Sequence, residues 1–517
     1  MVKSKKYILQ IVLLILLLLP VVISAQKNIH AKLNIGLASE YQLYDRMIFG
    51  QFIEHFHRQV YGGIFDPGSK LSDEKGFRTD VIDALREMKV PVVRWPGGCF
   101  ASSYHWLNGI GNSRVPAYDK AWQVEEPNTF GTDEFVLWCR KIGAEPFICT
   151  NAGTGTMEEM SDWVEYCNLN IGKFGRMRQT NGQMEPYNVK YWSIGNENWG
   201  GHEIGAKSIA EWGPLVCESA KMMRRVTPDI KLFAAALSNP GWTLPLLKAA
   251  GGLLDFVSIH NYWDGDHDTF KPASYIDCMM RTNSPADDIK KTISILDQSG
   301  LRGQIKIAFD EWNLRGWLHP GLFNPRLKMD IESRDKNDIN STYTMADALF
   351  TACFLNTCIR NAADVKMACF SPIVNASGVL FVHPKGLVKR TTYHVMRLYA
   401  NRLQPNSLPL EIISDALNYN DKSVNAVDAI VTCDNAKKLL TIALVNKHPE
   451  MAADCDLGIK INPRSIIATI LSGDCVDTYN DIDSPNRVIP ETRQLPVKDG
   501  HIIIPPHSLV IIDIPVK

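Results

Sequence analysis

Val189-Lys-Tyr-Trp-Ser-Ile-Gly-Asn-Glu-Asn198 is an apolar, aromatic run of strand length that breaks at Gly195 into Asn196-Glu197-Asn198. Such a run predicts a buried strand ending in polar side chains, and a stretch of helical period from Ala206 to Val226 follows it. The same strand-then-helix unit recurs about eight times between Arg46 and residue 400. The other strand-like runs are 47–53, 90–93, 146–149, 231–235, 256–259, 305–309 and 365–370. Helices are expected behind them, with recognisable starts and faces over 80–89, 132–142, 158–174, 285–298 with Ser284 as N-cap, 341–361 and 389–400. Alternation of this kind implies a parallel sheet, and eight units in about 350 residues fit a closed (β/α)8 barrel better than an open doubly wound sheet.

Beyond about residue 402 the helical period gives way to strand-like runs at 439–445, 465–470, 501–504 and 509–514, punctuated by Asp434, Asn435, Gly473, Asp499 and Gly500. That texture predicts a C-terminal antiparallel β-sandwich. No low-complexity linker separates it from the barrel, so the two are expected to pack closely.

At the other end, Lys3, Lys5 and Lys6 precede an apolar run from Ile8 to Ile23, and Ser24-Ala25 offers small residues for cleavage. Residues 1–25 therefore read as a secretory signal peptide, with a retained anchor as the alternative, and the protein is expected to be exported, periplasmic or extracellular. Without those lysines 52 basic residues face 56 acidic ones. A chain so balanced has no field for polyanions, which excludes nucleic acid as the expected partner; no stable membrane insertion is expected after cleavage, and a homo-oligomer stays open. Most of the twelve cysteines fall in apolar stretches, as reduced buried thiols do. No CxxC pair or zinc-like Cys/His spacing occurs, so no metal is expected.

In a parallel barrel, chemistry gathers where strands end. Those positions carry Glu54-His55, Arg94-Trp95-Pro96, Thr150-Asn151, Asn196-Glu197-Asn198, Ser238-Asn239, His260-Asn261-Tyr262, Asp310-Glu311-Trp312 and Ser371-Pro372. Glu197 after the fourth strand and Glu311 after the seventh can converge across the mouth, and two carboxyl groups are the minimum machinery for glycoside cleavage. One must be protonated, its pKa raised by burial and like charge; the other must be ionised, held so by hydrogen bonds and an Arg. Other patterns fail. Gly153-Thr-Gly155 lacks the third glycine of a dinucleotide loop, His202-Glu203 lacks the second His of a zincin, and Asp264-Gly-Asp266-His-Asp268 lacks the EF-hand Gly and Glu and reads as a surface acidic loop open to adventitious calcium.

Gly195-Asn196-Glu197 with a second Glu after strand seven resembles the 4/7 superfamily of retaining glycosidases. Phe49-Gly-Gln-Phe-Ile-Glu-His55, Arg94-Trp-Pro-Gly-Gly-Cys-Phe100, Tyr104-His-Trp106, Ser258-Ile-His-Asn-Tyr262 and Asp310-Glu-Trp-Asn313 resemble, more narrowly, glycoside hydrolase family 51, mostly α-L-arabinofuranosidases. The resemblance implies a TIM barrel over 46–401 and a β-sandwich over 402–517 that residues 26–45 join. It implies a cofactor-free, retaining, exo-acting enzyme that removes terminal arabinofuranosyl groups from arabinan, arabinoxylan or their oligosaccharides. An endo-β-glucanase or xylanase of the superfamily, or a non-catalytic carbohydrate-binding barrel, are the alternatives. Carried over by position, Glu197 is the general acid/base and Glu311 the nucleophile. Asn196 contacts the sugar 2-hydroxyl, Glu54 and Arg94 bind ring substituents or the nucleophile, and His260 and Tyr262 orient the carboxylates. Cys99 lies beside the sugar, where no disulfide is expected, and Trp122 is either a subsite aromatic or core. Two positions depart from the family pattern: Ser102-Ser103 stand where acidic residues are usual, and Ser371-Pro372 where a sugar-contacting Gln is expected. Both bear on specificity.

Overall fold

The computed structural model describes residues 28–264, 271–316, 324, 326–328, 338–461 and 463–516. The expected signal peptide and residues 265–270 of the acidic loop lie outside the described residues. Eight strands close into a parallel barrel in chain order: β1 (Gly50–Phe52), β2 (Val92–Trp95), β3 (Glu145–Thr150), β4 (Tyr191–Ile194), β5 (Lys231–Ala235), β6 (Phe256–Asp264), β7 (Lys306–Arg315) and β8 (Val365–Phe370). Closure is made by β8 on β1, through Cys369 opposite Gly50 and Phe370 opposite Gln51. The helices that follow the strands are α1 (Thr79–Met88), α2 (Thr132–Ile142), α3 (Met157–Asn168), α4 (Ile209–Val226), α5 (Pro240–Ala250), α6 (Ser284–Ser299), α7 (Met345–Arg360) and α8 (Thr391–Arg402).

The inward side chains explain why the barrel has a floor rather than a bore. Phe52, Val92, Phe147, Tyr191, Phe233, Ala308, Met367 and Cys369 form a separate inner cluster that fills the ring. Outside the strands, the main core packs them against the helices. Apolar area removed from water at both layers, at roughly 25 cal/mol per Å², is what holds the barrel shut.

The elements differ from expectation where polarity or proline intervenes. A 3-10 turn at Arg46–Phe49 shortens the first strand, whereas β6 and β7 continue through His260 and Glu311 to Asp264 and Arg315. The expected 158–174 helix is two, broken before Gly172, which adopts φ +80°. Ser284 is the first helical residue of α6 rather than its cap; Asn283 takes that position without a side-chain bond. Asp264 is no surface ligand: it is buried and pairs with Arg281 at 2.7 Å and Arg315 at 2.9 Å. All twelve cysteines are free.

The C-terminal region is two stacked sheets. One has seven strands, five of them running antiparallel from Val427–Cys433 through Leu439–Asn446, Ser508–Pro515 and Ser465–Ser472 to Glu491–Pro496. The other is four-stranded, and Ile29–Ile35 enters it between Leu410–Ser414 and Ala453–Asp456, pairing parallel with the latter, so the sandwich is mostly antiparallel. Polar contacts join it to the barrel: Arg360 on α7 pairs with Asp428 at 2.8 Å, and the buried Tyr275 donates to the Lys447 carbonyl at 2.9 Å. Among the described residues no helix is long and apolar enough to cross a membrane.

Candidate active site

The polar strand ends meet at one mouth of the barrel, around a cavity of about 260 Å³ lined by Glu54, Cys99, Trp122, Glu197, His260 and Glu311 among others. Glu311 is reached by β7 continuing past its apolar segment. Glu197 is reached by a turn: Gly195 at φ +71° has no room for a Cβ, which would lie 2.0 Å from Asn198 Oδ1, and Glu197 itself sits in the left-handed region at φ +43°. Strained backbone of this kind persists only where surrounding contacts over-determine it. Those contacts are visible. A carboxylate oxygen of Glu197, a ring nitrogen of His260 and a carboxylate oxygen of Glu311 all lie within 4.8 Å of one another.

Glu311 is held by charge and by a phenol. Arg94 Nη1 donates to its Oε2 at 3.0 Å, and the Tyr262 hydroxyl donates to its Oε1 at 2.7 Å. Arg94 is fully buried, and its remaining nitrogens face Asp310 at 3.1 Å, Asn196 Oδ1 at 2.7 Å and Cys149 Sγ at 3.7 Å. Its guanidinium is thus committed to the nucleophile side of the site. Tyr262 also meets Ser371 Oγ at 2.8 Å, so the serine standing where a Gln was expected touches the phenol that holds Glu311.

Glu197 lies between two imidazoles, His202 Nε2 at 2.9 Å and His260 Nδ1 at 3.0 Å. Burial pushes its carboxyl up, but the hydrogen bonds and charge of these rings more than reverse that, and it lies well below the ordinary carboxylate range. This corrects the expectation of a raised acid. Burial opposes charge on His260, yet Glu311, Asp310 and Glu197 around it lift it to about 10, so the proton rests on the rings.

Glu54 behaves oppositely. Burial first, and the charge of Glu311 second, push it up to about 8, although Phe100 N and Trp122 Nε1 donate to its Oε1 at 2.9 and 3.0 Å. Gly97 is what lets it lie there, since a Cβ would stand 2.6 Å from Glu54 Cγ. Trp122 therefore does more than pack: its ring lies against Phe56 with centroids 3.9 Å apart, while its N–H fixes Glu54 at the cavity wall. Asn196 has both amide ends engaged, Oδ1 by Arg94 and Nδ2 by Glu203 Oε1 at 3.0 Å.

Two residues of this network escaped the reading of the sequence. His202 and Glu203 were weighed only as a failed zincin pair, yet His202 bonds Glu197 and Glu203 is buried behind Asn196. A His-Glu pair five residues past Gly-Asn-Glu, in a loop otherwise rich in Gly, was the available signal. Ser102 donates to Glu203 Oε2 at 2.6 Å, so the serine departure after Phe100 is answered by a carboxylate from the opposite loop.

Comparison with known proteins agrees with this geometry. Residues 84–279 match the family model described as the alpha-L-arabinofuranosidase 1 domain, and residues 310–508 that of the alpha-L-arabinofuranosidase C-terminal domain. The chain is 33% identical over 440 residues to alpha-L-arabinofuranosidase C of Emericella nidulans, covering 79% of this chain and 83% of that protein. It is 31% identical over 422 residues to the intracellular exo-alpha-(1->5)-L-arabinofuranosidase of Acetivibrio thermocellus, covering 78% and 82%. The crystal structure of the alpha-L-arabinofuranosidase from Thermotoga maritima in complex with arabinose superposes with a TM-score of 0.83 at 32% identity, over 94% of this chain and all of that one.

Proposed function

Because this chain belongs to glycoside hydrolase family 51, the α-L-arabinofuranosidases, we propose that it removes terminal, non-reducing arabinofuranosyl residues from arabinan, arabinoxylan or their oligosaccharides, with net retention. The observation that carries retention is the approach of Glu197 and Glu311 oxygens to within 4.8 Å, which suits a covalent double displacement with carboxyls about 5–5.5 Å apart better than inversion, whose intervening water needs about 6.5–9.5 Å. A cavity of about 260 Å³, with Phe56, Trp122, Trp199 and His202 in its lining, favours a single terminal sugar over a polymer threading through.

In the first step a carboxylate oxygen of Glu311 bonds to the anomeric carbon, the bond to the leaving oxygen breaks with its electron pair, and that oxygen takes a proton from Glu197. The protons of His202 and His260, one hydrogen bond away, keep Glu197 supplied. In the second step Glu197 takes a proton from water, whose oxygen bonds to the same carbon and frees Glu311 as carboxylate. Asn196, Glu54 and Cys99 contact the sugar in this reading, and Arg94 and Tyr262 hold Glu311 aimed at the anomeric carbon.

The test is release of chromophore from an aryl α-L-arabinofuranoside beside the Glu311→Ala protein, with the anomer first released followed by NMR. Turnover with a first-formed α-anomer, abolished in the variant, is expected. A first-formed β-anomer would overturn retention, and clipping of polymer without free arabinose would overturn exo action. We also propose that residues 1–25 direct export. N-terminal sequencing of the protein from its native host should begin at about residue 26, and a cytoplasmic chain starting at Met1 would refute this.

A further inference from the structure

Glu203 has no part in the reaction as just described, yet it is a buried carboxylate at the centre of the site. It accepts from Asn196 Nδ2 at 3.0 Å and Ser102 Oγ at 2.6 Å, and the Cys99 thiol donates to it. Its nearest cation among the described residues is His202, whose Nε2 lies 3.7 Å from Oε1 while also bonding Glu197 at 2.9 Å. A neutral Gln would satisfy Asn196 and Ser102 without the cost of burying an ionisable group that lacks a full counter-charge. What the carboxyl adds is a charge that can be present or absent beside Glu197.

Resting on the functional reading above, we propose that Glu203 is a positioning residue: it holds Asn196 and Cys99 toward the sugar and, through its charge 3.7 Å from His202 Nε2, sets the upper pH at which the proton between His202 and Glu197 stays available to the leaving group. Burial first, and the neighbouring charge of Glu197 second, lift Glu203 to about 7, so it gains charge in the range where a general acid fails. The titratable groups facing it are His202 and Glu197 on its own loop, Cys99 after β2, Glu54 after β1 and Cys149 on β3, with Glu311 facing Glu54 from across the cavity. A negative Glu203 favours the charged imidazole of His202 and so keeps the proton that supplies Glu197 to higher pH.

The experiment compares the unaltered protein with Glu203→Gln on two substrates across pH. One is an alkyl α-L-arabinofuranoside, whose leaving group needs the proton; the other is a dinitrophenyl arabinofuranoside, whose leaving group does not. For Glu203→Gln the basic limb of kcat/KM on the alkyl glycoside should move down by about one pH unit, while the dinitrophenyl profile keeps its shape. Ser102→Ala removes a donor that favours the ionised form of Glu203, so it should move the same limb the same way by less. An unmoved basic limb in both variants, or an equal loss on both substrates at every pH, would overturn the proposal. Hydrolysis of the two glycosides by the unaltered protein tests the functional reading on its own, apart from the displacement between the profiles.

Discussion

At the residue scale, the roles of the two carboxylates follow from what surrounds them rather than from their identity. Glu311 faces Arg94 and the Tyr262 phenol, which hold both of its oxygens in place by hydrogen bonds at 3.0 and 2.7 Å. Glu197 faces two imidazoles, a setting that keeps a proton close without fixing it on the carboxyl. Glu197→Ala should therefore lower kcat/KM on alkyl arabinofuranosides by about 10²–10⁴-fold, the usual worth of general acid catalysis, yet change it less than about tenfold on the dinitrophenyl substrate. Equal losses on both, measured by steady-state kinetics, would reverse the assignment. The sequence carried these two glutamates plainly, because each follows an apolar strand and sits among aromatic neighbours. It hid the direction of the Glu197 shift. The reason is that His202 arrives from the loop after β4 and His260 from β6, and no linear spacing records that both rings reach one carboxylate.

At the element scale, β5 and β8 have the bounds their apolar runs predict, since each is a plain buried strand flanked by turns. β6 and β7 were read as ending at Ile259 and Phe309, where the apolar pattern stops. The ladder goes on because His260 meets Asp310, Tyr262 donates to Glu311 and Asn313 donates to the Ser371 carbonyl, so polarity there marks the site rather than the end of the strand. Helix α5 was legible only as a gap. Gly241 and Pro245 argue against a helix on propensity, yet Pro240 opens it at its first turn, Asn239 caps Gly241 N at 2.8 Å, and Leu246 and Leu247 anchor it in the core. Tertiary burial outweighed local preference there. The split of the third helical stretch has a similar cause: Gly172 at φ +80° turns the chain so that Arg178 can bury itself against the carbonyls of Tyr166 and Leu169.

At the scale of the whole molecule, the charges paired in the barrel and at its seam with the sandwich set how stability depends on pH. Burial alone would raise Asp310, Asp338 and Asp428, but Arg94, Arg390 and Arg360 respectively outweigh it and hold all three low. A depressed carboxyl contributes stability that is present above its unfolded pKa and lost as pH falls through the folded one, so these pairs fail only in strong acid. On the other side, Glu54 and Glu203 are lifted from 4.5 to about 8 and about 7. The unfolded chain releases those protons first, so stability declines as pH rises from about 4.5 toward 8; Glu203 alone accounts for about 3 kcal/mol of that, since each tenfold change is about 1.4 kcal/mol. His260, lifted to about 10, adds stability that is complete below its ordinary value and fades as pH climbs toward 10. All three slopes on the alkaline side have one sign. The midpoint of thermal unfolding should therefore be highest near about pH 4 to 4.5 and fall by on the order of 5 °C by pH 9, with the decline flattened in a Glu54→Gln, Glu203→Gln double variant. Calorimetry across pH 4 to 9 checks this: a midpoint that holds level or rises from pH 6 to 9 would mean that neither carboxyl carries its proton in the folded barrel.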